Sequence, residues 1–252
     1  MPWTLRHAVL LLAVLLGVEV AANAGWKRLQ LPPLLASLNR ACPGLVARAV
    51  GSLDAKGSAA LEEMASLAWD ALTRAADLLV IWGFARGLRH SGPRMTAEGR
   101  SGTAVRTALI AGFGFAAAVA VGEGVARWRG ASLLAALRGT PDPADGTPGV
   151  ILLFFVVGVM LAPAVEEILF RGILLDACGT APAAILVTAL VFAGFHPLAA
   201  WMNGQAMQMP WAQLLAGLVF AWLTRRTGGI LAAWILHAAA NAFVLGLQAA
   251  ST

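Results

Sequence analysis

Charge is scarce in this chain. Asp, Glu, Lys and Arg together make up 12% of the 252 residues, against 59% hydrophobic residues and a mean hydropathy of +0.76. A water-soluble domain of this length carries about twice that charged fraction, so the composition excludes an ordinary soluble fold and points to an integral membrane protein. Long polar stretches are missing as well. None could fold alone, which leaves a single membrane domain over residues 1–252. Cysteine is limited to Cys42 and Cys178, which match neither a zinc-finger spacing nor a disulfide framework. The net charge is +5, yet the basic residues are scattered between apolar runs, as they are in the loops of membrane proteins. That scatter argues against a nucleic-acid partner.

What the chain has instead is a series of apolar runs. A helix needs about 20 such residues to cross a bilayer. Runs of this kind lie near 8–24, 66–88, 104–125, 149–175, 181–201, 209–223 and 229–248. The expected fold is therefore all-α, a polytopic bundle of transmembrane helices with seven or eight spans. The eighth candidate, residues 31–50, is broken by Pro32, Pro33 and Pro43 and carries Arg40 and Arg48. The first run also has the Arg6, apolar core and small-residue "ANA" pattern of a signal peptide, but the polytopic remainder favours a first transmembrane helix. Asp70, Arg74 and Asp77 share a helical face and are expected to pair.

The run over 149–175 breaks the rule of low charge. It contains Glu166, Glu167 and Arg171. Glu167 and Arg171 are four residues apart, so they share a face and can form an ion pair. Successive residues turn by about 100°, which directs Glu166 elsewhere and leaves it without a local partner. An unpaired acid inside a membrane is a functional candidate. Further polar groups lie in later runs: His196, one turn after Phe192 in "FAGFH", and His237, one turn before Asn241 in "HAAAN". A carboxylate, two imidazoles and an amide from three helices suit hydrolysis of an amide bond. Glu166 with His196 can deprotonate a water, and His237 with Asn241 can donate to an oxyanion. Neither HExxH nor GxSxG occurs. Glu166, His196 and His237 also form a donor set for a divalent metal such as zinc, with water in the open position. A metal-free, glutamate-type mechanism is preferred, because Asn241 suits an oxyanion better than a zinc site.

In order and spacing, "EEILFR" (166–171), "FAGFH" (192–196) and "HAAAN" (237–241) resemble the EExxxR, FxxxH and HxxxN motifs of the CPBP intramembrane endopeptidases. This family includes type II CAAX prenyl endopeptidases and bacteriocin-processing proteins. The resemblance covers roughly 149–245, within a motif-bearing core at 149–248. It implies Glu166 as general base aided by His196, with His237 and Asn241 stabilising the oxyanion and Glu167, Arg171 and Phe192 shaping the site. The implied partners are the lipid bilayer and a polypeptide with a hydrophobic or lipidated segment.

Topology and competing functions complete the reading. Arg86, Arg89, Arg94 and Arg100 lie in one loop, and Arg225 and Arg226 in another, four spans apart. Both loops then face the cytoplasm, and the chain is placed in the inner (cytoplasmic) membrane of a bacterium. Simple depth counting puts Glu166 and His196 at different levels, so tilted or broken helices are needed to bring them together. Two other functions compete: a non-catalytic immunity or scaffold protein of the same fold, and an ion or proton carrier using Glu19, Glu123 and Glu166.

Overall fold

Seven helices run through the described residues: α1 (Leu5–Arg28), α2 (Ala55–Gly87), α3 (Ser101–Trp128), α4 (Pro148–Ala177), α5 (Pro182–Met202), α6 (Trp211–Thr227) and α7 (Leu231–Ala249). The computed structural model describes residues 3–28, 40–41, 55–88, 95, 101–132, 148–202 and 210–249, and no strand occurs among them. Each helix coincides with one of the seven expected apolar runs. The doubtful run at 31–50 lies outside the described residues, except for 40–41.

Length and composition let α1, α3 and α4 cross a bilayer by themselves, while α5 and α7 are apolar over Pro182–Leu198 and Leu231–Gly246. The outward faces are apolar too: Leu79 and Trp82 on α2, Ile110 and Phe113 on α3, and Leu215 and Trp222 on α6 are all exposed. Water would not tolerate so much contiguous apolar surface, but lipid tails cover it without cost. The chain is an integral membrane protein with an all-α, polytopic fold.

Two cores hold the helices together. In the first, Phe170, Ile173 and Leu174 of α4 are packed by Leu11 and Leu15 of α1, Ile81 of α2 and Phe192 of α5. The second joins α3, α6 and α7 through Ala104, Ala108, Phe220, Leu223, Ala232 and Leu236. Alanines at such a junction let backbones approach closely where no hydrophobic effect drives helices together. The first run is part of the bundle: Trp69 of α2 donates its indole N–H to the Ala22 carbonyl of α1 at 3.1 Å, and Arg74 pairs with Glu19.

The helix that carries the glutamates is not a uniform α-helix. Two π-helical segments, Phe155–Leu161 and Ile168–Leu174, flank the α-helical turn Ala162–Glu167. The backbone chemistry accounts for part of this. The Ala162 N–H reaches back to the Val157 carbonyl, and Pro163 has no N–H to offer Gly158. In the first π segment, the Gly158 carbonyl accepts from the Asn241 side chain of α7 at 2.8 Å, and the Met160 carbonyl accepts from the Trp234 indole at 3.1 Å. Such π turns are a usual accommodation at functional sites. They supply the break from regular helix that depth counting requires. At the far end, Arg225 of α6 donates to the Leu175 carbonyl at 2.8 Å and to the Gly179 carbonyl, satisfying groups that the end of α4 leaves open.

Gly217 on α6 sets the approach of α5. A Cβ there would lie 3.0 Å from Ala189 Cα and 3.1 Å from its Cβ. Gly217→Val is expected to force α5 and α6 apart and to cost about 1–3 kcal/mol. A lower midpoint of thermal unfolding in detergent, relative to Gly217→Ala, is the outcome that checks it.

Candidate active site

Helix α4 presents its two adjacent glutamates to different surroundings. Glu167 is fully buried and its Oε1 accepts from Arg171 Nη1 at 3.0 Å, as the four-residue spacing implies. The same oxygen lies 2.9 Å from His237 Nδ1. A carboxylate oxygen accepts, so that nitrogen carries the proton and donates. One buried carboxylate thus binds a cation on its own helix and an imidazole from α7. The rest of the Arg171 guanidinium meets aromatic faces rather than hydrogen-bond acceptors. Its Cζ lies 4.1 Å from the centroid of Phe192 and 5.3 Å from that of Phe220. These quadrupoles take the place of water around the charge.

Glu166 stands on the other side of the same imidazole. Its Oε2 is 3.8 Å from His237 Nε2, and that buried oxygen has no hydrogen-bond partner. The gap is too long for a direct hydrogen bond. A single oxygen atom can nevertheless lie within bonding reach of both groups, as a bridging water does. Glu167 also keeps one buried oxygen, Oε2, without a partner, but only Glu166 presents its free oxygen to the far side of the imidazole.

The remaining candidates frame this pair. His237 stacks on Phe220, with centroids 4.8 Å apart, and meets Phe192 edge-on at 6.0 Å. His196 packs edge-on against Phe192 at 4.7 Å, so the two imidazoles share one phenyl ring. The Nδ1 of His196 donates to the Phe192 carbonyl at 2.9 Å, which leaves Nε2 as the accepting nitrogen. Asn241 is partly buried and spends one amide N–H on Gly158, keeping the other. His237 therefore meets Glu166, Glu167 and Phe192, Arg171 bridges Glu167 and Phe192, His196 joins through Phe192, and Asn241 is fixed one turn further along α7.

Two connections escaped sequence reasoning. The bond between His237 and Glu167 spans 70 residues and has no local signature. Trp234, which bonds to α4, had a readable signal: it lies one turn before His237 on the face that also carries Asn241. As for a metal, no three His, Cys, Asp or Glu side chains among the described residues stand together as a ligand set. The Nδ1 of His237 is taken by Glu167 and that of His196 by Phe192. These bonds leave the Nε2 of each ring open, the arrangement also found where a carboxylate or carbonyl orients a metal-ligating histidine.

Comparison with known proteins adds one finding. Residues 148–243, less than half of the chain, match the family model of type II CAAX prenyl endopeptidases, Rce1-like. No curated protein and no solved structure gives a significant match.

Removing Arg171 would strand the buried Glu167 charge. Arg171→Ala is expected to destabilise the protein by about 3–5 kcal/mol. Pairing it with Glu167→Gln should restore part of that loss, because the amide no longer carries a charge to strand. Thermal unfolding in detergent, run as a double-mutant cycle, measures both.

Proposed function

Since residues 148–243 belong to the Rce1-like family of type II CAAX prenyl endopeptidases, we propose that the chain is an intramembrane endopeptidase that uses Glu166 as its base. Its substrates are polypeptides with a hydrophobic or lipidated segment, which partition into the bilayer where the site lies. The observation that carries this reading is the unpartnered Glu166 Oε2 facing His237 Nε2 at 3.8 Å, beside a Glu167 already engaged by Arg171.

In the proposed reaction a water bound by Glu166, with His196 as the second acceptor, loses its proton to Glu166 as it attacks the peptide carbonyl. The tetrahedral oxyanion receives hydrogen bonds from His237 Nε2 and the second amide N–H of Asn241. The proton on Glu166 then passes to the departing amine, and the C–N bond breaks. The His237 role requires a proton on both ring nitrogens, since Nδ1 already donates to Glu167. The site is metal-free in this reading.

The competing functions fit less well. A scaffold gives no reason for a second carboxylate to stand 3.8 Å from an imidazole that Glu167 already holds. A carrier needs a relay, but Glu19 is paired with Arg74, and Glu123 with Arg127 and Ser132.

Glu166→Gln is expected to lower processing of a lipidated or hydrophobic-tailed substrate in membranes by about 10²–10⁴-fold, while the protein accumulates normally. Near-parent activity would remove Glu166 from the mechanism. Activity is also expected to survive exhaustive chelation; its loss, with recovery on adding one particular ion, would replace this mechanism with a metal-dependent one.

A further inference from the structure

Between α1, α2 and the C-terminal part of α5 lies a cavity of about 310 Å³ that the proposed chemistry does not use. Its walls include Glu19 and Trp26 of α1, Trp69, Asp70 and Arg74 of α2, and Phe195 of α5. Phe195 is the neighbour of His196, and it packs edge-on against Phe170, 5.8 Å away. Arg74 on its wall is near enough to Glu166 for their charges to interact, which sets the cavity close to the proposed base. Helices α1 and α2 lie outside the segment that matches the family.

Among the described residues, the charges at this cavity and just behind it do not balance. Arg74 donates to Asp70 Oδ1 from Nε at 3.2 Å and to Asp77 Oδ2 from Nη1 at 3.0 Å, and it also pairs with Glu19. One guanidinium thus serves three carboxylates. Its charge is already outnumbered by those of its partners. Behind it Asp77 is only 2% exposed, and its Oδ1 has no hydrogen-bond partner. Excess negative charge at a low-dielectric site calls for a cation.

The aromatic walls favour the same kind of occupant. The Trp69 indole N–H is spent on the Ala22 carbonyl, so its ring has only its faces and edges to present. Trp26 lies beside it, with centroids 6.1 Å apart and planes tilted by 39°. Indole faces next to carboxylates form a receptor for an organic cation, with the rings covering an apolar stem and the carboxylates meeting its head.

We infer that the cavity between α1 and α2 is a specificity subsite that takes a lysine or arginine side chain of the polypeptide substrate. The inference rests on the proteolytic reading for the identity of its ligand. The cavity accommodates one such side chain, and its contact with Phe195 places that residue a short distance along the substrate from the bond at Glu166.

The test uses the full-length protein in phosphatidylcholine nanodiscs. The probes are peptides with a common apolar tail that differ only in lysine, norleucine or glutamate at one position, moved stepwise along the segment preceding the tail. Binding is measured with the Glu166→Gln protein, through the tryptophan fluorescence lost in Trp69→Phe. At one position the lysine peptide should bind about tenfold more tightly than the norleucine peptide. Glu19→Gln with Asp70→Asn should abolish that preference while leaving norleucine-peptide affinity unchanged, which also shows that the variant is folded. Equal binding of lysine and norleucine peptides at every position, or a preference that survives the double substitution, would overturn the inference. Cleavage by the parent protein is scored separately. Cleavage without a lysine or arginine preference sinks the subsite alone, whereas a binding preference with no peptide cleaved supports the cavity and sinks the protease.

Discussion

The Oε1 atom of Glu167 accepts from Arg171 and from His237 at once, and the rest of the site is arranged around that shared oxygen. A carboxylate with no exposure is tolerable only if its charge is matched and its lone pairs are used. Arg171 supplies the charge, and the phenyl rings of Phe192 and Phe220 surround the guanidinium where water cannot. His237 uses a further lone pair, and in doing so its ring is turned until Nε2 faces Glu166. Neither member of the adjacent glutamate pair can replace the other. One fixes an imidazole, and the other stands 3.8 Å from its far nitrogen.

Holding α7 in this position takes more than one bond. Trp234, His237 and Asn241 lie on one face of α7 and donate to the Met160 carbonyl, the Glu167 carboxylate and the Gly158 carbonyl of α4. The Gly158 carbonyl is open because the Ala162 N–H goes to Val157 and Pro163 has no N–H. Inside a membrane an open carbonyl must find a donor within the protein, so the irregular backbone of one helix becomes the docking surface of the next. Interhelical hydrogen bonds of this sort are individually modest. Three on one face fix rotation as well as distance.

Much of this was legible in the sequence, and for identifiable reasons. Transmembrane helices announce themselves by length and hydropathy, so all seven helices coincide with the expected runs. The pairing of Glu167 with Arg171, and of Arg74 with Asp70 and Asp77, follows from helical periodicity, which is a local property. The contact of His237 with Glu167 and the cavity between α1 and α2 depend on how distant segments pack, and no spacing rule reaches that far. Depth counting for Glu166 and His196 assumes a regular rise per residue, which the π segments of α4 do not keep.

Those π segments also determine the phase of the helix. Each wide turn holds one residue more than an α turn would need, and that extra residue turns everything beyond it by about 100° about the axis. The glutamates follow the first π segment, Phe155–Leu161, so their bearing toward α7 depends on that surplus residue. Were the chain shortened by one residue there, the turns before Ala162 would return to α-helical spacing. Glu167 would then swing away from His237, and a better helix would point its carboxylates at the wrong neighbour. In this chain, angular register rather than helix quality is what the local backbone preserves.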